Sequence, residues 1–149
     1  MTIANPSKVS KFGYFMQVAG LGAAVILSLP SPYYLSRGLP ILLLGILLQS
    51  AARAQLGLRS YHLEADPTTG ILVRTGPYRW IRHPIHLSNC LIALAVVLIH
   101  GSALSYVAFS ICLTGAVIRV CCEEQCLALR YPEFKEYQSV SWRMLPFVF

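Results

Sequence analysis

Residues 85–118 read "IHLSNCLIALAVVLIHGSALSYVAFSICLTGAVI", 34 residues without an Asp, Glu, Lys or Arg. As one continuous helix the run would be roughly 51 Å long, against a bilayer hydrocarbon core of about 30 Å. That is too long for a single span and suits two, with the break around "HGS", residues 100–102. The run therefore reads as a transmembrane helical hairpin with almost no outer loop.

Working outward, the same pattern recurs. The 25 residues between Lys11 and Arg37 are uncharged, enough for a helix of roughly 37 Å. The 15 residues between Arg37 and Arg53, "GLPILLLGILLQSAA", are short for a span by themselves. A helix opened near Leu39 with Pro40 in its first turn extends to about Leu58 if Arg53 snorkels to the headgroups. The expectation is an all-α integral membrane protein, one domain over 1–149, with about four transmembrane helices. Composition agrees: 56% of residues are hydrophobic, 12% are charged, and mean hydropathy is +0.59, more apolar than a soluble core of this size needs.

Loop charge orients the spans. Lys8 and Lys11 precede the first span, Arg53, Arg59, Arg74, Arg79 and Arg82 lie between the second and third, and Arg119, Arg130, Lys135 and Arg143 follow the fourth. Arg37 alone falls on the other side, so the positive-inside rule puts both termini in the cytoplasm. The net charge of +6 then reflects orientation and anionic lipid rather than nucleic acid. The first span is too long for a signal-peptide h-region, and no small-residue cleavage site follows it. Five cysteines without paired C-x-x-C spacing point to no metal site and, in a reducing compartment, no disulfide.

Polar chemistry is confined to two pieces. The first, "GPYRWIRHPIH" at 76–86, leads into the third span. Pro84 suits the first turn of that helix, which places His83 at its N-cap, where unpaired backbone N–H groups favour an anion. The second, "IRVCCEEQCLALRYPEFKEY" at 118–137, continues the fourth helix out of the membrane. There Arg119 and Glu123 are an i,i+4 pair, Pro132 ends the helix, and the following segment reads as a short amphipathic stretch lying on the membrane surface. The bland reading of both pieces is interfacial anchoring plus a surface salt bridge. It does not account for His83 at a helix N-terminus with His86 one turn later. A cationic turn beside a carboxylate-bearing helix suits a zwitterionic ligand. His62 and His100 have no such context.

"GILVRTGPYRWIRHPIH", then "RVCCEEQCL" and "YPEFKEY…VSWRMLP", resemble the isoprenylcysteine carboxyl methyltransferase family and its relatives, the membrane phospholipid N-methyltransferases, over roughly residues 56–146. The resemblance implies a cytosolic C-terminal site for S-adenosylmethionine. It implies that Gly70, Ile71, Leu72, Val73, Tyr78, His83, Pro84, Ile85, His86 and Glu123 line the cofactor, and that Arg119 orients the acceptor. The family commonly has tyrosine where this chain has His86, and eukaryotic members carry a glutamine at about the position of Leu63. The implied activity is methyl transfer to a lipophilic acceptor in the bilayer, a carboxylate as in isoprenylcysteine, held by Arg119. The alternatives are a phospholipid amine, with Glu124 or His86 as base, or a thiol. Two further classes stay open: a nicotinamide-dependent membrane reductase, similar in its C-terminal region, and a non-enzymatic membrane subunit. Oligomeric state has no signature.

Overall fold

The computed structural model describes residues 6–28, 35–57 and 71–147. It is all-helical: α1 (Pro6–Ser28), α2 (Leu35–Leu56), a 3-10 turn (Gly76–Arg79), α3 (Pro84–His100), α4 (Ala103–Arg130) and the short α5 (Phe134–Ser139). No strand occurs among the described residues, only an isolated parallel bridge between Ile81 and Trp142.

Three helices are long and apolar enough to cross a membrane: Pro6–Ile26, Arg37–Leu56 and Ala103–Arg130. The third helix, expected as a full span, is apolar but has 17 residues, about 26 Å at the usual rise and so slightly short of the hydrocarbon core. Its start explains the difference. Pro84 is the first helical residue and His83 the N-cap, as expected, so the helix begins only where the polar segment ends. The α3–α4 hairpin closes at Gly101, whose φ of 64° is the left-handed conformation that ends a helix, and Ser102 caps α4 by accepting from the Ser105 N–H.

Lipid is as apolar as a leucine side chain, so helices in a bilayer are held by close packing rather than by escape from water. The sequence supplies small residues where the helices touch. α1 lies antiparallel on α4, and a Cβ at Gly20 would sit 2.5 Å from the Cys112 amide nitrogen and one at Gly115 2.5 Å from that of Gln17. α2 lies antiparallel on α3 in the same way: a Cβ at Gly38 would come within 2.4 Å of the Ala95 carbonyl. Large apolar side chains turn outward instead, among them Phe12, Phe15, Leu43, Leu47 and Val107.

These directions bring the start of α1, the end of α2, the start of α3 and the end of α4 to one end of the bundle. Among the described residues, Arg37 is the only basic residue at the opposite end. The chain after α4 does not simply lie on a membrane surface. Phe134 and Tyr137 of α5 are buried, and the tail runs beside the segment that enters α3. Arg82 N–H donates to the Trp142 carbonyl (2.7 Å), His83 N–H to that of Arg143 (3.0 Å), and Trp142 N–H to that of Trp80 (2.9 Å).

Candidate functional site

His83 enters the site from the N-cap of α3, and His86 from the first turn of the same helix. Glu123 reaches them from α4. Its Oε2 lies 3.3 Å from His83 Nδ1 and 3.2 Å from His86 Nε2. One ligating atom from each of the three residues can be chosen so that all lie within 4.8 Å of one another. The other Glu123 oxygen, Oε1, accepts from Arg119 Nε at 2.7 Å, the expected i,i+4 pair. Arg119 is buried and its guanidinium stacks over the Tyr14 ring, 5.0 Å from the centroid. The proposed donor residues on α3 and α4 thus meet, with Arg119 beside them.

α1 contributes a residue that the sequence reading missed. Gln17 is buried in the middle of an apolar run and clamps His86 twice. Its Oε1 lies 2.8 Å from His86 Nδ1, and its Nε2 donates to the His86 carbonyl at 3.4 Å. The donated amide orients the side chain, so Oε1 faces the ring and His86 Nδ1 carries the proton. The signal was present: a lone polar side chain inside a span is costly unless it has a task.

Glu124, weighed as a base for an amine acceptor, has a different occupation. It accepts from Arg82 Nε at 2.8 Å on one oxygen and from Arg143 Nε at 2.8 Å on the other. Arg82 also donates to the Ser141 carbonyl and, at 3.2 Å each, to the Ser141 hydroxyl and the Gln138 carbonyl. This buried hub fastens the tail to the segment that carries His83. A carboxylate committed to two guanidinium groups is a poor proton acceptor.

His83 is enclosed. Its Nε2 is 3.6 Å from Glu124 Oε1, within ion-pair reach but too far for a hydrogen bond, and has no hydrogen-bond partner. Burial works against a charged ring here, but the Glu123 and Glu124 carboxylates outweigh it and raise the pKa of His83 above its ordinary value. Tyr78 is buried in the 3-10 turn, and its carbonyl accepts from the Tyr137 hydroxyl. Burial pushes the Tyr137 phenol up to about 12.

The remaining expected residues are less gathered. Pro84 is buried and Ile85 half-buried beside the two histidines. Ile71, Leu72 and Val73 form no regular element, and Ile71 is exposed. Gly70 and the position of Leu63 lie outside the described residues.

A family model described as phospholipid methyltransferase matches residues 34–133. The match covers α2, α3 and nearly all the described part of the site, but not α1 with its Gln17 and Tyr14, nor the tail. No curated protein and no solved structure shows a significant similarity.

Proposed function

The chain belongs to the phospholipid methyltransferase family, and from that premise we propose that it is an S-adenosylmethionine-dependent methyltransferase acting on a lipophilic acceptor at the cytosolic membrane face. The observation that carries this reading is the convergence of His83, His86 and Glu123 at one end of a membrane bundle. The residues fit the group. Glu123 is a partly exposed carboxylate suited to an ammonium, and the buried His83 Nε2 has no hydrogen-bond partner.

When bound, S-adenosylmethionine supplies an electrophilic methyl on a positively charged sulfur. Glu123 holds the donor's ammonium. His83 and the backbone N–H groups opening α3 hold its carboxylate. Gln17 fixes the ring of His86, and the Arg82–Glu124–Arg143 hub fixes the backbone that presents His83. The protein's work is then alignment, which by itself can accelerate a displacement greatly. Arg119 orients an acceptor carboxylate, which needs no base. Lipid-facing helices let the acceptor arrive sideways while the donor comes from the aqueous side.

A second reading, a phospholipid amine as acceptor, is favoured by the family's own description. With Glu124 held by two arginines, His86 would take the amine proton. Incubating membranes that contain the protein with methyl-labelled donor and identifying the labelled lipid tests both readings. A methyl ester supports the first and an N-methylated headgroup the second. No labelled product, together with no rise in melting temperature on adding S-adenosylhomocysteine, rejects methyl transfer.

A further inference from the structure

We infer that the outer face of the tail, residues 140–147, is a lipid-binding surface seated in the bilayer leaflet nearest the candidate site. The inner face of this stretch belongs to the protein. Ser141 and Met144 are buried, and Met144 joins the core cluster that contains Leu87 and Cys90. The outer face is apolar: Val140, Trp142, Leu145 and Phe147 are exposed, Phe147 at 86%. Arg143, the only charged residue of the stretch, is paired with Glu124. The Trp142 and Phe147 rings meet with their centroids 5.1 Å apart. Phe147 holds a left-handed backbone, φ 66°, that a bulky residue rarely adopts. Large apolar side chains crowded into so short a segment and turned away from the core mark an interaction site rather than ordinary solvated surface.

Position selects the bilayer as the occupant. The Trp142 N–H donates to the Trp80 carbonyl at 2.9 Å, and the Trp142 carbonyl accepts from the Arg82 N–H at 2.7 Å. Both partners lie just before Pro84, the first residue of α3. Trp142 is therefore level with the point where α3 enters the apolar part of the bundle, the depth of a membrane–water interface. Bridge partners project from one face of the paired segments, so the Trp142 side chain follows that of Ile81, which packs on the same core cluster. The patch thus continues the flank of the apolar helices. Tryptophan is enriched at that depth, with its ring among the headgroups. Leu145 and Phe147 add apolar area for the upper acyl chains. With 17 residues, α3 is slightly short for the hydrocarbon core, and interfacial anchors of this kind set how such a helix sits. The surface is independent of the methyl-transfer reading and leaves His83, His86 and Glu123 to their own ligand.

Trp80 and Trp142 are the chain's two tryptophans, so Trp80→Phe leaves Trp142 as the single indole. The full-length variant is reconstituted in phosphatidylcholine vesicles. Its emission is read with lipids brominated in the upper or the terminal part of the acyl chain, and with acrylamide added from the water. The expected result is a blue-shifted emission that is lost to upper-chain bromine more than to terminal bromine or to acrylamide. Adding Leu145→Ser and Phe147→Ser should shift the emission to the red and move the quenching from bromolipid to acrylamide. Absence of bromolipid quenching overturns the inference. With strong acrylamide quenching the face is in water; with resistance to both quenchers another protein surface, such as a second copy of this chain, covers it. If Trp80→Phe fails to fold, the protein with both tryptophans decides. Its bromolipid quenching must fall when Leu145 and Phe147 are changed to serine, and an unchanged value overturns the inference. None of these readings involves the methyl donor, so the proposed function stands or falls separately.

Discussion

Glu123 and Glu124 are adjacent, chemically identical, and turned to different tasks. Glu124 is spent on Arg82 and Arg143, whereas Glu123 shares one oxygen with Arg119 and offers the other to two histidines. Glu124→Gln should therefore destabilise the protein by about 3–5 kcal/mol, because the buried Arg82 loses its one charged partner among the described contacts, visible as a lower melting temperature. Gln17→Leu should leave a buried ring N–H without an acceptor, costing about 1–3 kcal/mol, and should lower activity through His86. Tyr137 gives a pH prediction. Its folded pKa of about 12 exceeds the unfolded value near 10, so folding favours the neutral phenol. That contribution is complete below about pH 10 and is lost as pH rises through 12. Melting curves from pH 8 to 12 should show Tyr137→Phe less stable at neutral pH, because the hydrogen bond to the Tyr78 carbonyl is gone, yet falling less steeply above pH 10. At this scale, the Arg119–Glu123 pair and the N-cap position of His83 were legible because both are fixed by local helical spacing. Gln17 was legible only as a lone polar residue inside a span, while its partner, 69 residues away, was not.

At the scale of elements, what the sequence declares most clearly is where helices stop. Pro84, Gly101 with Ser102, and Pro132 mark ends that the structure places at those points. Which helix faces which is harder to read, because every span is apolar on all sides and lacks an amphipathic stripe. The glycines carry that information, and only contact reveals which of them matter. Gly115 lies under the backbone of α1, while a Cβ at Gly22 would meet nothing within 4 Å. Gly115→Val should cost about 1–3 kcal/mol or more by overpacking, whereas Gly22→Ala should be neutral or slightly stabilising by helix propensity. Equal effects in a detergent unfolding assay would contradict the α1–α4 packing described above. The tail was misjudged for a related reason. The spacing of Phe134 and Tyr137 suggests a face for lipid, but that face is turned into the protein, and its backbone partners are 59 to 62 residues earlier in sequence.

At the scale of the whole molecule, the charge asymmetry read from the loops becomes a polar end of the bundle, and the candidate site lies in it. Short connections force α3 and α4 to be antiparallel neighbours, which brings a residue at the start of one beside a residue at the end of the other. That topology was enough to foresee His83 beside Glu123. It could not foresee α1 as a third wall or the tail as a clasp, since both depend on contacts between segments far apart in sequence, Gln17 with His86 and Trp142 with Trp80 and Arg82. The most direct measurement is the affinity of the purified protein for S-adenosylhomocysteine, compared with that of Glu123→Gln, an isosteric change that removes only the charge. The expected result is saturable binding by the wild type and binding at least 10-fold weaker in the variant, both measured below the variant's melting temperature. Equal affinities, or no binding by the wild type, would contradict the claim that these two helix ends jointly grip a charged methyl donor.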